Sequence, residues 1–155
     1  MADVYERLKE LGVTLPKPPG KAGLYKRAQE FGDHLVYLSG CGVDIGDGRL
    51  YIGRVGADLT LEEGQAAARN CMLNLLANLE EFLGDLNRIK RCVKVLGFVN
   101  SSPDFYDQPK VINGGSQLLL DLLGEERGLP ARTAMGVNVC PGNIAVEIEM
   151  LVEYR

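Results

Sequence analysis

The sequence predicts an α+β domain, a mixed β-sheet with two long helices packed on one of its faces. Three observations carry that prediction. The last quarter, Ala131 to Arg155, holds two alternating runs around Pro141-Gly142-Asn143, and alternation of period two marks a strand with one buried face. Two stretches, opening near Thr60 and near Pro109, repeat apolar residues at helical spacing and close on Gly84 and Gly124. Between them Ile89 to Val99 is apolar at both parities, as a strand covered on both faces would be. The resulting order is β-β-β, α, β, α, β-β.

At 155 residues, 46% apolar and 25% charged, the chain is long enough for one real core and too apolar for disorder. Its formal charge of -4, with both signs interspersed, gives no basic footprint for a nucleic-acid backbone and disfavours a polyanion partner. Cys41, Cys71, Cys92 and Cys140 stand far apart, with no C-x-x-C and no histidine at metal-ligand spacing. Neither zinc nor a disulfide framework is expected. The amino terminus is charged from its third residue and has no apolar h-region, and no run approaches the ~18 apolar residues of a membrane span. A cytoplasmic protein without membrane contact is expected.

Taken in order, Asp3 with Glu6 three residues later is a capping-box pattern, and Val4, Leu8 and Leu11 make a helical stripe that stops at Gly12. Leu15 to Lys21, with its prolines and glycine, admits neither a helix nor a central strand. Residues 1–20 therefore read as an appended helix and Pro-rich linker, and 21–155 as the main domain. Leu24 to Gln29 and His34 to Ser39 are short strands joined as a hairpin through Glu30-Phe31-Gly32-Asp33. Glycines from Gly40 to Gly56 surround a third strand-like segment, Leu50-Tyr51-Ile52. A dinucleotide fingerprint needs its glycines between a strand and a helix, so these read as turns rather than as a phosphate cradle.

Thr60 with Glu63 forms a second capping box, opening the clearest helix, whose stripe of Leu61, Ala68, Cys71, Met72, Leu75, Leu76, Leu79, Phe82 and Leu83 should pack on the sheet. In the second long helix, Pro109 to Leu123, the interior Gly114-Gly115 costs roughly 1 kcal/mol each relative to alanine. That points to close approach at this turn, by a ligand or by a neighbouring helix.

The terminal runs are expected to form a hairpin with a two-residue loop at Pro141-Gly142. This register puts Thr133, Met135, Val137 and Val139 on one buried face with Ile144, Val146, Ile148, Met150 and Val152. The other face would carry Arg132, Ala134, Gly136 and Asn138 against Glu147, Glu149, Leu151 and Glu153. Two helices cover only one side of a sheet. With 89–99 read as buried twice, further subunits in a closed symmetric oligomer should hide the other side.

Chemistry could sit on the polar hairpin face. Arginine's planar fork binds a small carboxylate bidentately, and a glutamate nearby can orient or deprotonate water, so Arg132 with Glu147 is the candidate constellation. In the register above Glu147 faces Gly136, four residues from Arg132 or roughly 13 Å of strand rise. Charges on a solvated strand face are the bland alternative. Tyr25 and Asn113 are weaker candidates, since a strand tyrosine is commonly half-buried packing and Asn113 could be a solvated helix residue. His34, the only histidine, begins a strand after a turn and reads as surface, so no Ser-His-Asp or Cys-His arrangement can be assembled.

These residues carry a resemblance. Gly23-Leu24-Tyr25, Ser39-Gly40, the helix with Asn70 and Asn74, Val93-x-Val95-x-Gly97-Phe98-Val99, Asn113, Pro130-Ala131-Arg132-Thr133, Pro141 and Glu147-Ile148-Glu149 are together similar to the YjgF-like Rid family of enamine/imine deaminases. The similarity runs over roughly residues 21–155, and the arginine segment with the E-I-E strand is its most specific part. It implies a chorismate-mutase-like fold and a homotrimer whose sheets form a central barrel, with ligand clefts between subunits. It implies that Arg132 clamps the substrate carboxylate, that Glu147 holds the attacking water and that Tyr25 lines the cleft. It also implies ligand contact with the backbone of Ala134, where many members carry cysteine, so any role for that thiol is absent here. Asn113 is carried as a further substrate contact. No metal or organic cofactor is required. The amino-terminal helix, Asn113-Gly114-Gly115 and the Gly124 to Gly128 loop depart from the short archetype and mark a divergent subgroup.

Three functions follow. The first is hydrolytic deamination of small 2-imino or enamine acids to 2-keto acids. The second keeps the cleft without chemistry, as a trimeric, regulatory binder of keto acids or other small carboxylates, and turnover of an imine separates the two. The third, endoribonuclease, is a label attached to some relatives and ranks behind, because ribonuclease chemistry wants a paired acid and base with phosphate contacts.

Overall fold

The computed structural model describes residues 3–155. A short helix α1 (Val4–Glu10) precedes strands β1 (Ala28–Phe31) and β2 (Leu35–Cys41), then helix α2 (Leu61–Leu83) and strand β3 (Ile89–Asn100). Helices α3 (Gln108–Leu123) and α4 (Glu125–Gly128) and strands β4 (Ala131–Val137) and β5 (Val146–Tyr154) complete the chain. The strands form one sheet in the order β1-β2-β5-β3-β4, with β3 and β4 parallel and every other pair antiparallel. This is the α+β architecture read from the sequence, with a mixed sheet.

Both long helices form as their end signals require. The α2 capping box is complete, Glu63 N donating to Thr60 Oγ1 (3.1 Å) and Thr60 N to Glu63 Oε2 (2.9 Å), and Gly84 closes the helix at φ 76°. The glycine pair of α3 is explained by α2: a Cβ at Gly114 would overlap the Gln65 carbonyl group, 2.7 Å from its carbon, and one at Gly115 would lie 3.0 Å from Ala68 O. Of the two readings of Gly114-Gly115, helix packing is therefore the one observed. One core joins Met72, Leu75, Leu76 and Leu79 of α2 and Ile112, Leu118 and Leu119 of α3 to Val36, Leu38, Val95, Val99, Ile148, Met150 and Val152 of the sheet.

The amino-terminal helix is no detached appendage. Val4 and Leu8 are buried in the core, Val4 N donates to Asn87 Oδ1 (2.9 Å) and Arg7 Nη2 to the Asp121 carbonyl at 2.9 Å. Met1 and Ala2 of the 1–20 segment lie outside the described residues. The proline-rich linker that follows holds neither helix nor strand, as expected.

The largest correction concerns 131–155, which is not a hairpin. β4 pairs with β3 (Val95 opposite Arg132, Phe98 opposite Met135), while β5 lies between β2 and β3 (Val36 opposite Val152, Phe98 opposite Glu147). Residues 138–145 cross the end of β3, where the buried Asn100 donates through Nδ2 to Asn143 Oδ1 (3.0 Å), Ile144 O (3.2 Å) and Gly53 O (3.2 Å). Alternation reports which residues of a strand share a face; it does not say which strand is the neighbour. The apolar sets of the two runs consequently lie on opposite faces: Val146, Ile148, Met150 and Val152 are buried under the helices, whereas Met135 and Val139 are half exposed.

Three smaller differences follow from the same geometry. Leu50–Ile52 is not a strand, since Ile52 makes only an isolated bridge to Ile144. β1 begins at Ala28, and its hairpin with β2 turns through Gly32 and His34, both at positive φ. The mixed parity of β3 comes partly from register shifts at Ile89/Arg91 and Cys92/Lys94, which turn both Cys92 and Val95 inward. β5, not β3, is the central strand.

Candidate active site

A cavity of about 710 Å³ opens where the end of β2 meets the start of β5, roofed by the proline-rich linker. Its wall includes Tyr25, Arg27, Ser39, Gly40, Asn78 and Glu147. Beside it, Asn70, Asn74 and Asn78 of α2, one turn apart, are all buried, and Asn78 reaches the cavity wall. Asn70 donates to Val43 O (3.1 Å), Asn74 to Gly42 O (2.9 Å) and Asp44 O (2.8 Å), and Asn78 to Cys41 Sγ (3.2 Å). Asn70 and Asn74 thereby satisfy buried carbonyls of the irregular segment after β2, while Asn78 holds the Cys41 thiol at the end of that strand.

Glu147 points away from the helices, opposite Phe98 on β3. It is half-buried, and burial first, then the neighbouring Glu149, raises its pKa above the usual carboxylate range near 4.5. Among the described residues no side chain or backbone N–H hydrogen-bonds its carboxylate. Gly40 makes its position possible: a Cβ there would collide with Oε1 and stand 3.1 Å from Cδ and 3.2 Å from Cγ. Glu147 also lines an adjoining hollow of about 220 Å³ with Phe98, Val139 and Cys140. Tyr25 is partly exposed, and its hydroxyl oxygen accepts from Ala22 N at 3.2 Å, which leaves the hydroxyl proton uncommitted.

Arg132 lies elsewhere. Its side chain turns to the helix side of the sheet, Nη1 donating to Asn113 Oδ1 (2.7 Å) and Ser116 Oγ (3.1 Å) and Nη2 to Pro109 O (3.2 Å). Ala134, opposite Gly97, packs against the core on that same side. Within one chain the sequence-derived residues thus form two groups, Tyr25 with Glu147 and Arg132 with Asn113 and Ala134. The expectation that Arg132 and Glu147 share a face, with Glu147 opposite Gly136, is corrected: β3 separates their strands and they emerge on opposite faces.

The four thiols are free and buried. Desolvation pushes Cys41 and Cys140 up to about 11 and Cys92 to about 12, so these are protonated at neutral pH. His34 sits exposed in the β1–β2 turn at φ 59°. Among the described residues no group of three or more His, Cys, Asp or Glu could hold a metal ion, and no helix is long and apolar enough to cross a membrane. Sequence reasoning gave no role to Arg27, Asn78 or Gly40. The four-residue spacing of Asn70, Asn74 and Asn78 along an apolar helix face was a legible signal for the contacts that α2 makes with residues 41–44 beside the cavity.

Comparison with known proteins agrees with this architecture. Residues 5–154 match the family model described as "YjgF/chorismate_mutase-like, putative endoribonuclease". The chain is 44% identical over 152 residues to Protein TCP17 of Trypanosoma cruzi, covering 98% of this chain and 94% of that one. It is similar to the crystal structure of Atu1372 from Agrobacterium tumefaciens, of unknown function, with a TM-score of 0.87, 40% identity and coverage of 97% and 91% of the two chains. A Shewanella oneidensis MR-1 structure named "putative endoribonuclease" matches at TM-score 0.93 and 32% identity, covering 98% and 99%. With a matching model over nearly the whole chain, helices packed on a mixed sheet, and relatives above 30% identity over more than nine-tenths of both chains, the chain belongs to the YjgF/chorismate-mutase-like family.

Proposed function

We propose that the protein hydrolyses small reactive 2-imino or enamine acids to 2-keto acids and ammonia, in a cleft completed between subunits of a homotrimer. The observation that supports it most is Glu147, a half-buried carboxylate of raised pKa held over a cavity by the missing side chain of Gly40. A carboxylate with raised proton affinity is a better base toward water. Water's oxygen bonds to the imine carbon as Glu147 takes its proton, and the C=N electron pair moves to nitrogen. That nitrogen is protonated, Tyr25 offering a hydroxyl proton that is uncommitted, whereas the Ser39 hydroxyl donates to Lys26 O. Return of the Glu147 proton to the amine lets ammonia leave with the C–N electron pair as the carbinol oxygen forms C=O, and the carbinol proton passes to the Tyr25 phenolate, which restores the site: R–C(=NH)–COO⁻ + H₂O gives R–C(=O)–COO⁻ + NH₃. No step calls on a metal.

The substrate carboxylate is assigned to the partner subunit's Arg132. Support comes from the opposite placement of Arg132 and Glu147 within one chain, which forces any joint site to use two. β4 is an edge strand with half-exposed Met135, and Leu96, Phe98 and Leu151 lie on the sheet face without a helix layer. Association through that face would cover them. The test is imine turnover, keto-acid affinity and light scattering on Arg132→Ala, Arg132→Lys and Glu147→Gln. Loss of the clamp should cost about 2 to 5 kcal/mol, roughly 30-fold to several-thousand-fold in kcat/KM, with lysine restoring only part. Glu147→Gln should slow turnover with keto-acid binding nearly unchanged. A parent that binds keto acids and releases no ammonia from any imine would instead make the protein a binder, and a stable monomer at micromolar concentration would remove the shared cleft.

A further inference from the structure

We propose that Arg27 selects substrates carrying a second acidic group, so that the cleft takes dicarboxylic 2-imino or enamine acids ahead of monocarboxylic ones. The inference rests on the imine-hydrolase reading of the same cavity and adds the substrate class. Among the described residues Arg27 is the one cation in the cavity wall, as Glu147 is the one anion. Since the α-carboxylate is assigned to Arg132 of the partner subunit, Arg27 is left over for a different negative group on the same ligand.

The guanidinium is held rather than free. Nη1 donates to Pro19 O (3.0 Å) and approaches Asn78 Oδ1 (3.5 Å), and Nη2 pairs with Glu81. Nε–H and the second Nη2–H remain uncommitted, so a carboxylate could be received with little further ordering of the side chain. The Glu81 pairing does not cancel the positive charge inside the cleft. Glu81's side chain is 52% exposed against 29% for Arg27, so water screens the carboxylate more strongly than the guanidinium. Cys41, whose thiol feels both Glu147 and Arg27, lines the same cavity. A ligand with its imine carbon at Glu147 and its acidic side chain directed along the cavity wall would meet Arg27.

The competing account is a latch: Arg27 ties the linker at Pro19 to α2 at Asn78 and Glu81 and does nothing for ligands. Calorimetric titration of the full-length protein with 2-oxobutanoate and 2-oxoglutarate, the products expected from mono- and dicarboxylic imines, separates them. The parent should bind 2-oxoglutarate roughly ten- to a hundredfold more tightly. Arg27→Gln should erase that ratio while leaving 2-oxobutanoate within about twofold, and Arg27→Lys should keep part of it. Glu81→Gln should preserve or enlarge it, because a competing carboxylate is gone; should Arg27→Gln fail to fold, the lysine and Glu81 variants carry the test. Equal affinities in the parent, or Arg27→Gln and Glu81→Gln weakening both acids alike, would overturn the proposal. Ammonia release from 2-iminobutanoate is read separately: its absence beside an Arg27-dependent preference removes the hydrolase reading and leaves the selection standing.

Discussion

Replacing Gly40 by alanine tests the candidate site through a residue that performs no chemistry. Gly40 does not occupy the left-handed region, so alanine brings no backbone strain and the perturbation is purely steric. The new methyl would overlap Glu147 Oε1 and press Cδ and Cγ at 3.1 and 3.2 Å, so the carboxylate must withdraw by something near 1 Å. Glu147 is half-buried and flexible, which keeps the folding cost at the low end of overpacking, about 1 kcal/mol or roughly 2 to 4 °C in Tm for a chain of this size. A misplacement of about 1 Å in a reacting group costs on the order of a hundredfold in rate, or about 2.7 kcal/mol of barrier. Turnover should therefore fall far more than stability. Ammonia release and thermal melting on the parent, Gly40→Ala, Glu147→Ala and the double variant form a cycle in which alanine at 40 should add nothing once the glutamate is gone. Gly40→Ala turning over within about threefold of the parent, or the two effects simply adding, would refute the coupling and with it the assignment of Glu147 as the base.

Two further outcomes are expected. Gly114→Ala drives a methyl into the Gln65 backbone, which cannot rotate away; α2 and α3 must separate, at a cost of about 3 kcal/mol and roughly 10 °C in Tm, and an unchanged melting temperature would contradict that helix contact. For Glu147 the sign is set by its raised pKa: the folded state binds the proton more tightly than the unfolded chain does, so this residue's contribution to stability is largest at low pH and declines as pH rises from the ordinary 4.5 through the raised value. Activity, needing the ionised form, should rise over that same interval. Glu147→Gln should flatten the stability profile there, and a parent whose melting temperature climbs across it by a term that Gln leaves intact would show the shift to be misassigned.

What could be read in advance was local. Both long helices and their caps at Thr60 and Gly84 follow from spacings within a few residues, because helices satisfy their own backbone, whereas Gly114-Gly115 showed only that something approaches closely and not that it is α2. Strand neighbours do not work that way. The runs either side of Pro141 look like a hairpin, yet the connection crosses β3 and is pinned by Asn100, which lies some forty positions earlier. The same misreading put Arg132 beside Glu147. Identity pointed to both residues, but only the pairing of β4 with β3 shows that one faces α3 and the other an open cavity. Register shifts in β3 were equally hidden, since a bulge and a doubly buried strand leave similar apolar patterns.

The irregularity in β2 between Leu38 and Cys41 sets a constraint of a different kind. Leu38 stands opposite Met150 and Cys41 opposite Ile148, so three steps along β2 match two along β5. The surplus residue brings Gly40 against Glu147 and still returns Cys41 to the inward face, where Asn78 reaches it. Loss of one residue from Ser39–Gly40 would restore a regular ladder with Cys41 still opposite Ile148, and the offset that brings Gly40 against Glu147 would vanish. Chain length here is under tighter restraint than side-chain identity: the Gly46–Gly48 turn can vary by insertion at little cost, whereas at this point a single-codon deletion removes a lining residue together with the offset that sets Gly40 against Glu147.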